Sequence, residues 1–95
     1  MLPNITKTTT IVRKNTNFPT TILEDELLMM DVESGNYINL NKTGNIIWQL
    51  IQPPVSVEDL INKLVEKYKI DVDICTTDTI QYLEQIYKIH LIEIA

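Results

Sequence analysis

The feature that most constrains the fold is a change in hydrophobic period at Asn41. Before it, Leu27–Val32 form a short apolar run and Tyr37–Leu40 alternate apolar with polar side chains, as strands do. Glu33–Asn36 lie between them, and Gly35 is free to adopt a positive φ. The pattern therefore predicts a β-hairpin.

After Asn41 the apolar residues recur at helical spacing. Asn41 is a suitable N-cap for a short helix that buries Ile47, Trp48 and Ile51 and ends before Pro53-Pro54. Ser56–Asp59 resembles a capping box, which predicts that a second helix begins there.

A third helix is predicted to begin near Thr76 or Thr77, with Asp78 in its first turn, where a carboxylate favours the helix dipole. It is expected to end at His90, which either adopts a left-handed conformation or interacts with the last carbonyls of the helix. Leu91–Ile94 then form a short extended tail or strand.

The N-terminal region is rich in Thr and Asn, and every residue of Thr8–Val12 is β-branched. This composition predicts an arm over residues 1–19, irregular or an edge strand, that stops near Pro19. Residues 20–95 form the main domain, and Thr20–Leu23 is its first short strand. The element order indicates an α+β, winged helix-turn-helix-like fold with an N-terminal three-stranded antiparallel sheet followed by three helices.

Composition excludes several classes of partner. The net charge is −5, with 8 basic against 13 acidic residues, so we expect no nucleic-acid partner. Cys75 has no second cysteine to pair with, which suits a reducing compartment. No apolar run approaches the length of a membrane helix. A soluble, cytoplasmic protein without a membrane partner is expected.

The residues that catalysis requires are missing. Ser34 and Ser56 are explained as turn and cap residues, and Cys75 and His90 lack zinc-site spacing. Two glycines cannot build a phosphate loop, and the acidic run Glu24–Glu26 fits a solvated turn. We therefore predict no enzymatic activity, metal or cofactor.

A winged-helix DNA-binding module or a protein-scaffolding module is the alternative function. The third helix would read DNA, but it carries Asp78 and Glu84 against Lys88. Such a face cannot neutralise several phosphates.

The stretch from Ser34 to Asn41 contains no charge and no proline. Edge strands usually carry such residues, because their unpaired backbone groups invite pairing with other strands. The stretch is therefore either an edge strand that accepts another strand or a central strand with two neighbours. The residues alone leave both readings open.

An ordered set of short motifs resembles the PqqD-like family, the precursor-peptide recognition elements of ribosomal natural-product (RiPP) pathways. The resemblance runs from about Leu23 to the C-terminus. Asn41–Trp48 is most similar to the stand-alone proteins of lasso-peptide clusters, and His90 stands where the family usually has Gly. The matching segments are Glu26–Asp31, Ser34–Asn41, Thr43-Gly44, Ile47-Trp48, Ser56–Leu60, Tyr82-Leu83, Ile86 and Leu91–Glu93.

The resemblance implies non-catalytic leader binding in lasso-peptide antibiotic biosynthesis. The leader would add as an antiparallel strand to Asn36–Leu40, beside the third helix, and would be presented to a leader peptidase or other modifying enzyme. Without leader, the same edge is expected to meet the N-terminal arm or a second copy, giving a weak homodimer. The implied peptide-binding residues, of which Ile38 and Leu83 are also core candidates, are Asn36, Tyr37, Ile38, Asn39, Leu40, Asp78, Thr79, Tyr82, Leu83 and Ile86.

Overall fold

The computed structural model describes residues 4–14 and 18–95. The predicted α+β class is confirmed, and a three-stranded sheet precedes the helices. Residues 1–3 and 15–17 of the predicted arm lie outside the described residues, and the domain boundary after residue 19 stays a prediction. The elements are β1 Thr10–Arg13, β2 Thr20–Leu23, β3 Glu26–Asp31, β4 Asn36–Leu40, α1 Lys42–Leu50, β5 Val55–Ser56, α2 Val57–Tyr68, α3 Val72–Lys88 and β6 Ile92–Ile94.

The described chain divides into two compact units, one of residues 18–50 and one of residues 4–14 with 51–95. The first unit contains an antiparallel sheet in the order β2-β3-β4, against which α1 packs. The predicted hairpin is confirmed: β3 pairs with β4 across a turn in which Gly35 has a φ of 74°. The predicted N-cap is also confirmed, since the Gly44 amide donates to Asn41 Oδ1 at 2.8 Å.

One face of this sheet forms the core of its unit. Leu27, Met29 and Leu40 are buried there, and Ile47 and Trp48 are buried on α1. These strand residues occupy alternate positions, because successive side chains of a strand point to opposite faces.

The turn between β2 and β3 has an unusual backbone. Glu24 and Asp25 have φ values of 50° and 72°, the left-handed pair that a tight two-residue hairpin requires. Asn45 Nδ2 donates to the Asp25 carbonyl at 3.0 Å and ties α1 to this turn.

In the second unit, β1 is the central strand of a sheet ordered β5-β1-β6. The prediction of an irregular arm or edge strand is therefore wrong for residues 10–13, as is the expectation that they pair with the Asn36–Leu40 edge. Both sides of β1 are occupied, and Ile11 is fully buried. The partners escape sequence reasoning because β5 and β6 have only two and three residues.

In this unit the start of α2 agrees with the prediction, whereas the start of α3 does not. Ser56 caps α2 as predicted, accepting from the Asp59 amide at 3.1 Å. However, α3 begins at Val72 rather than near Thr76, because Asp71 Oδ1 accepts from the amides of Asp73 and Ile74. The residues of this first turn are mostly exposed, so they show no buried stripe that would have revealed it.

This earlier start places Asp78 beyond the first turn of α3, contrary to prediction. At the other end the helix finishes at Lys88. His90 adopts a φ of 64°, the left-handed one of the two predicted alternatives, and the Leu91 amide donates to the Ile86 carbonyl at 2.9 Å. This closing bond leads directly into β6, so of the two predicted forms, an extended tail or a strand, the C-terminal segment forms the strand.

Candidate functional site

The segment predicted to receive a peptide, β4, lies at the edge of its sheet. Within the described residues it pairs with β3 and with no second strand. This settles the question that the sequence left open: the uncharged stretch is an edge strand, with a row of backbone groups along its outer side.

The direction of the backbone groups along β4 follows from one hydrogen bond. The Met30 amide donates to the Pro19 carbonyl at 3.0 Å, so the Met30 backbone faces β2. Because successive residues of an antiparallel strand face opposite sides, alternate residues of β3 face β4. The inward-bonded pairs are Leu27–Leu40, Met29–Ile38 and Asp31–Asn36. Tyr37 and Asn39 therefore direct their N–H and C=O groups to the free edge.

The opposite edge of the sheet is flanked by charge. The acidic pair Glu24-Asp25 directly follows β2, and charged side chains near an edge oppose the approach of another strand. Charge therefore disfavours pairing at the β2 edge, whereas the Ser34–Asn41 stretch that contains β4 carries none.

The side chains of Tyr37 and Asn39 lie on the sheet face opposite the core residues. Tyr37 is 65% exposed, and Asn39 Nδ2 donates to Glu26 Oε1 at 3.2 Å. Leu28 and Met30 are their register partners on β3 and are half-buried. We call these five residues (Glu26, Leu28, Met30, Tyr37 and Asn39) the outer face.

Sequence reasoning identified Tyr37 and Asn39 but missed the three β3 residues of the outer face. The signal was present in the strand alternation, because Glu26, Leu28 and Met30 occupy every second position of β3. Shallow depressions lie on this face. One is bounded by Ile22, Leu23, Glu24, Glu26, Leu28 and Asn39; the other is bounded by Pro19, Thr20, Thr21, Leu28, Met30 and Tyr37.

The remaining predicted site residues belong to α3, in the other compact unit. Thr79, Leu83 and Ile86 are buried, with exposures of 5%, 0% and 3%, whereas Asp78 is exposed. Tyr82 is half-buried. On β4, Leu40 is buried, Ile38 is half-buried and Asn36 is exposed. Peptide contact by any of the ten residues stays a prediction.

The Tyr82 hydroxyl is enclosed without a hydrogen-bond partner among the described residues, as is that of Tyr68. Burial raises the pKa of Tyr82 above its ordinary value of 10.0, because desolvation disfavours the phenolate. An enclosed hydroxyl without a partner lowers stability, because no hydrogen bond compensates for its desolvation.

No group of three or more metal-ligating side chains is found in the parts of the chain that the structure describes. Cys75 is buried in the first turn of α3, with its Sγ 3.7 Å from Thr79 Oγ1. Among the described helices, none combines the length and apolar content needed to cross a membrane.

Of the comparisons with known proteins, one shows the family and another shows the fold. The family model for coenzyme PQQ synthesis protein D (PqqD) matches residues 26–92. A solved structure described as TbiB1 in complex with the TbiA(beta) leader peptide superposes with a TM-score of 0.73, covering 86% of this chain and 94% of that chain. The two sequences are 20% identical, so this likeness shows the fold. No curated protein sequence matches significantly.

Proposed function

The chain belongs to the family of coenzyme PQQ synthesis protein D, and we propose on that basis that it binds the leader of a ribosomally made precursor peptide by strand addition to β4. The protein is a non-catalytic member of this family. A structural neighbour with the same fold was solved with a leader peptide, which supports a leader as the ligand here.

The observation that carries the proposal is which β4 residues direct their backbone groups to the free edge. Tyr37 and Asn39 present four outward backbone groups on a strand without charge or proline. Each hydrogen bond made there contributes about 0.5–1.5 kcal/mol net, so four bonds contribute roughly 2–6 kcal/mol. This gain is modest once the cost of ordering a flexible peptide is subtracted. Side-chain contacts must therefore supply the rest of the affinity.

We further propose that the pathway is lasso-peptide biosynthesis in the cytoplasm. The protein would hold the leader while a leader peptidase or another modifying enzyme acts on the precursor. The similarity of Asn41–Trp48 to stand-alone proteins of lasso-peptide clusters supports this assignment. Reconstitution tests it: cleavage of the precursor by its partner peptidase should accelerate when this chain is added.

Strand addition is tested with proline substitutions at the two edges of the same sheet. Asn39→Pro removes an outward N–H of β4, so a labelled leader should bind roughly two- to tenfold more weakly. Ile22→Pro is the matched control, because Ile22 faces outward on β2 by the same alternation. Although Ile22 borders one depression of the outer face, this variant leaves every backbone group of β4 in place, so it should weaken binding far less than Asn39→Pro does. Asn39→Ala, which keeps the N–H, isolates the side-chain contribution.

Binding is measured by fluorescence anisotropy, and circular dichroism confirms that each variant is folded. Wild-type affinity in a folded Asn39→Pro variant would refute strand addition to β4. Equal losses in the Asn39→Pro and Ile22→Pro variants would refute the choice of this edge.

A further inference from the structure

The outer face offers two chemically different positions beside the β4 edge. The register places Leu28 opposite Asn39 and Met30 opposite Tyr37, and directly opposite residues project their side chains to the same face. This face is distinct from the one that buries Leu27. A peptide strand at the edge would extend both faces of the sheet by one row.

The alternation along β4 fixes which peptide residues reach the outer face. A strand bonded to the outward groups of Tyr37 and Asn39 places its own residues opposite them, with Cβ atoms about 5 Å away. The peptide residue between these two projects to the other face, beside Ile38. In an antiparallel peptide, the residue opposite Asn39 comes two positions before the residue opposite Tyr37.

The position beside Tyr37 is apolar. The ring is 65% exposed, and its β3 neighbour is the half-buried Met30. A depression bounded by Leu28, Met30 and Tyr37, with Pro19, Thr20 and Thr21 on its β2 side, adjoins the ring. Aromatic pairs and sulfur–aromatic contacts both stabilise such an arrangement.

The position beside Asn39 is acidic and accepts hydrogen bonds. The Asn39 amide nitrogen is engaged with Glu26 Oε1 at 3.2 Å, which leaves the Asn39 carbonyl oxygen and further carboxylate lone pairs as acceptors. The second depression adjoins Asn39 and combines the acidic Glu24 and Glu26 with the apolar Ile22, Leu23 and Leu28. A long side chain with a cationic end fits this combination, because its stem covers apolar surface while its charge meets the carboxylate.

We propose that this outer face reads a pair of leader residues two positions apart: a Lys or Arg opposite Asn39, followed by an apolar or aromatic residue opposite Tyr37. The inference rests on the proposed strand addition, and it names the residues that give it specificity. Each contact is exposed, so each should change affinity by about two- to fivefold.

The test uses a display library of random twelve-residue peptides, selected on the full chain. Only peptides whose binding is lost in Asn39→Pro are aligned. Lys or Arg should be enriched at one position and an aromatic or apolar residue two positions later. Selection on Glu26→Lys should replace the basic preference with Asp or Glu and leave the second preference intact. Tyr37→Ser should abolish the second preference alone.

Glu33→Lys is the control, because it makes the same charge change in the exposed β3–β4 turn of the same unit. It should reproduce the wild-type pair. Glu26→Gln is used in case Glu26→Lys misfolds. It keeps the size and shape of the side chain at position 26 but removes its charge, so it should weaken the preference for Lys or Arg in the selected peptides. Recovery of edge-binding peptides without the spaced pair overturns this inference and leaves strand addition standing. Failure to recover any peptide sensitive to Asn39→Pro overturns strand addition itself.

Discussion

The alternation of inward-facing and outward-facing backbone groups along β4 leads to a prediction about stability that is independent of any ligand. Proline at Asn39 removes an N–H that faces the free edge, whereas proline at Ile38 removes one that is bonded to Met29 within the sheet. The two positions are adjacent in the same strand, so the two variants differ chiefly in which backbone N–H is lost and in how far the replaced side chain is buried. We expect a large difference in the free energy of unfolding between the two variants.

The magnitude can be worked from the contacts. In Ile38→Pro the lost ladder bond costs about 1 kcal/mol and the orphaned Met29 carbonyl about 1–3 kcal/mol. Loss of part of a half-buried apolar side chain adds about 1 kcal/mol. The total is about 3–5 kcal/mol, a large part of the stability of a small domain. In Asn39→Pro the sheet loses the exposed bond to Glu26, which costs about 1 kcal/mol or less.

The assay is urea denaturation followed by circular dichroism. With a slope of about 1 kcal/mol/M, Ile38→Pro should lower the midpoint by roughly 3 M or abolish folding, and Asn39→Pro should lower it by roughly 1 M or less. The reasoning would be refuted by the reverse order. In that case Asn36, Ile38 and Leu40 would face the free edge, and the proposed peptide register would shift by one residue.

Other regions give further predictions. Glu24→Asn should raise the free energy of unfolding by about 0.5–1 kcal/mol, because Asn suits the φ of 50° in the β2–β3 turn; a decrease in chemical denaturation would contradict this. Tyr82→Phe should leave stability unchanged or higher, since it removes an enclosed, unpaired hydroxyl. The raised pKa of Tyr82 also means that the unfolded chain loses its proton first, so the wild type should lose stability above about pH 10 and the variant less. Free protein should self-associate weakly through β4, and sedimentation should show a shift to monomer when a binding peptide is added.

The sequence predicted the elements whose signals are local. The hairpin of β3 and β4, the Asn41 and Ser56 caps and the C-terminal strand each follow from a few adjacent residues. The central place of β1 could not be predicted, because its partners are short strands far along the chain. The start of α3 was missed because a single capping residue, Asp71, outweighs a first turn with little buried surface.

For the candidate site, too, the sequence predicted the local features and not those that depend on the folded chain. The sequence identified β4 as an uncharged strand, but whether it was an edge depended on the number of its neighbours, which is a tertiary property. Which β4 residues face outward was determined from the hydrogen bond between the Met30 amide and the Pro19 carbonyl, which no local sequence pattern encodes. Burial of Thr79, Leu83 and Ile86 also required the folded chain.

Weak backbone pairing suits the proposed role better than tight binding would. A leader must bind long enough for an enzyme to act on the precursor, and it must then leave so that another precursor can enter. An affinity built from four backbone groups and a few exposed side chains is readily reversible. Discrimination must then come from the outer face, since backbone groups are common to all peptides. The acidic Glu26 and the exposed Tyr37 are therefore the side chains on this face whose substitution should change which peptide is chosen while leaving the edge able to bind.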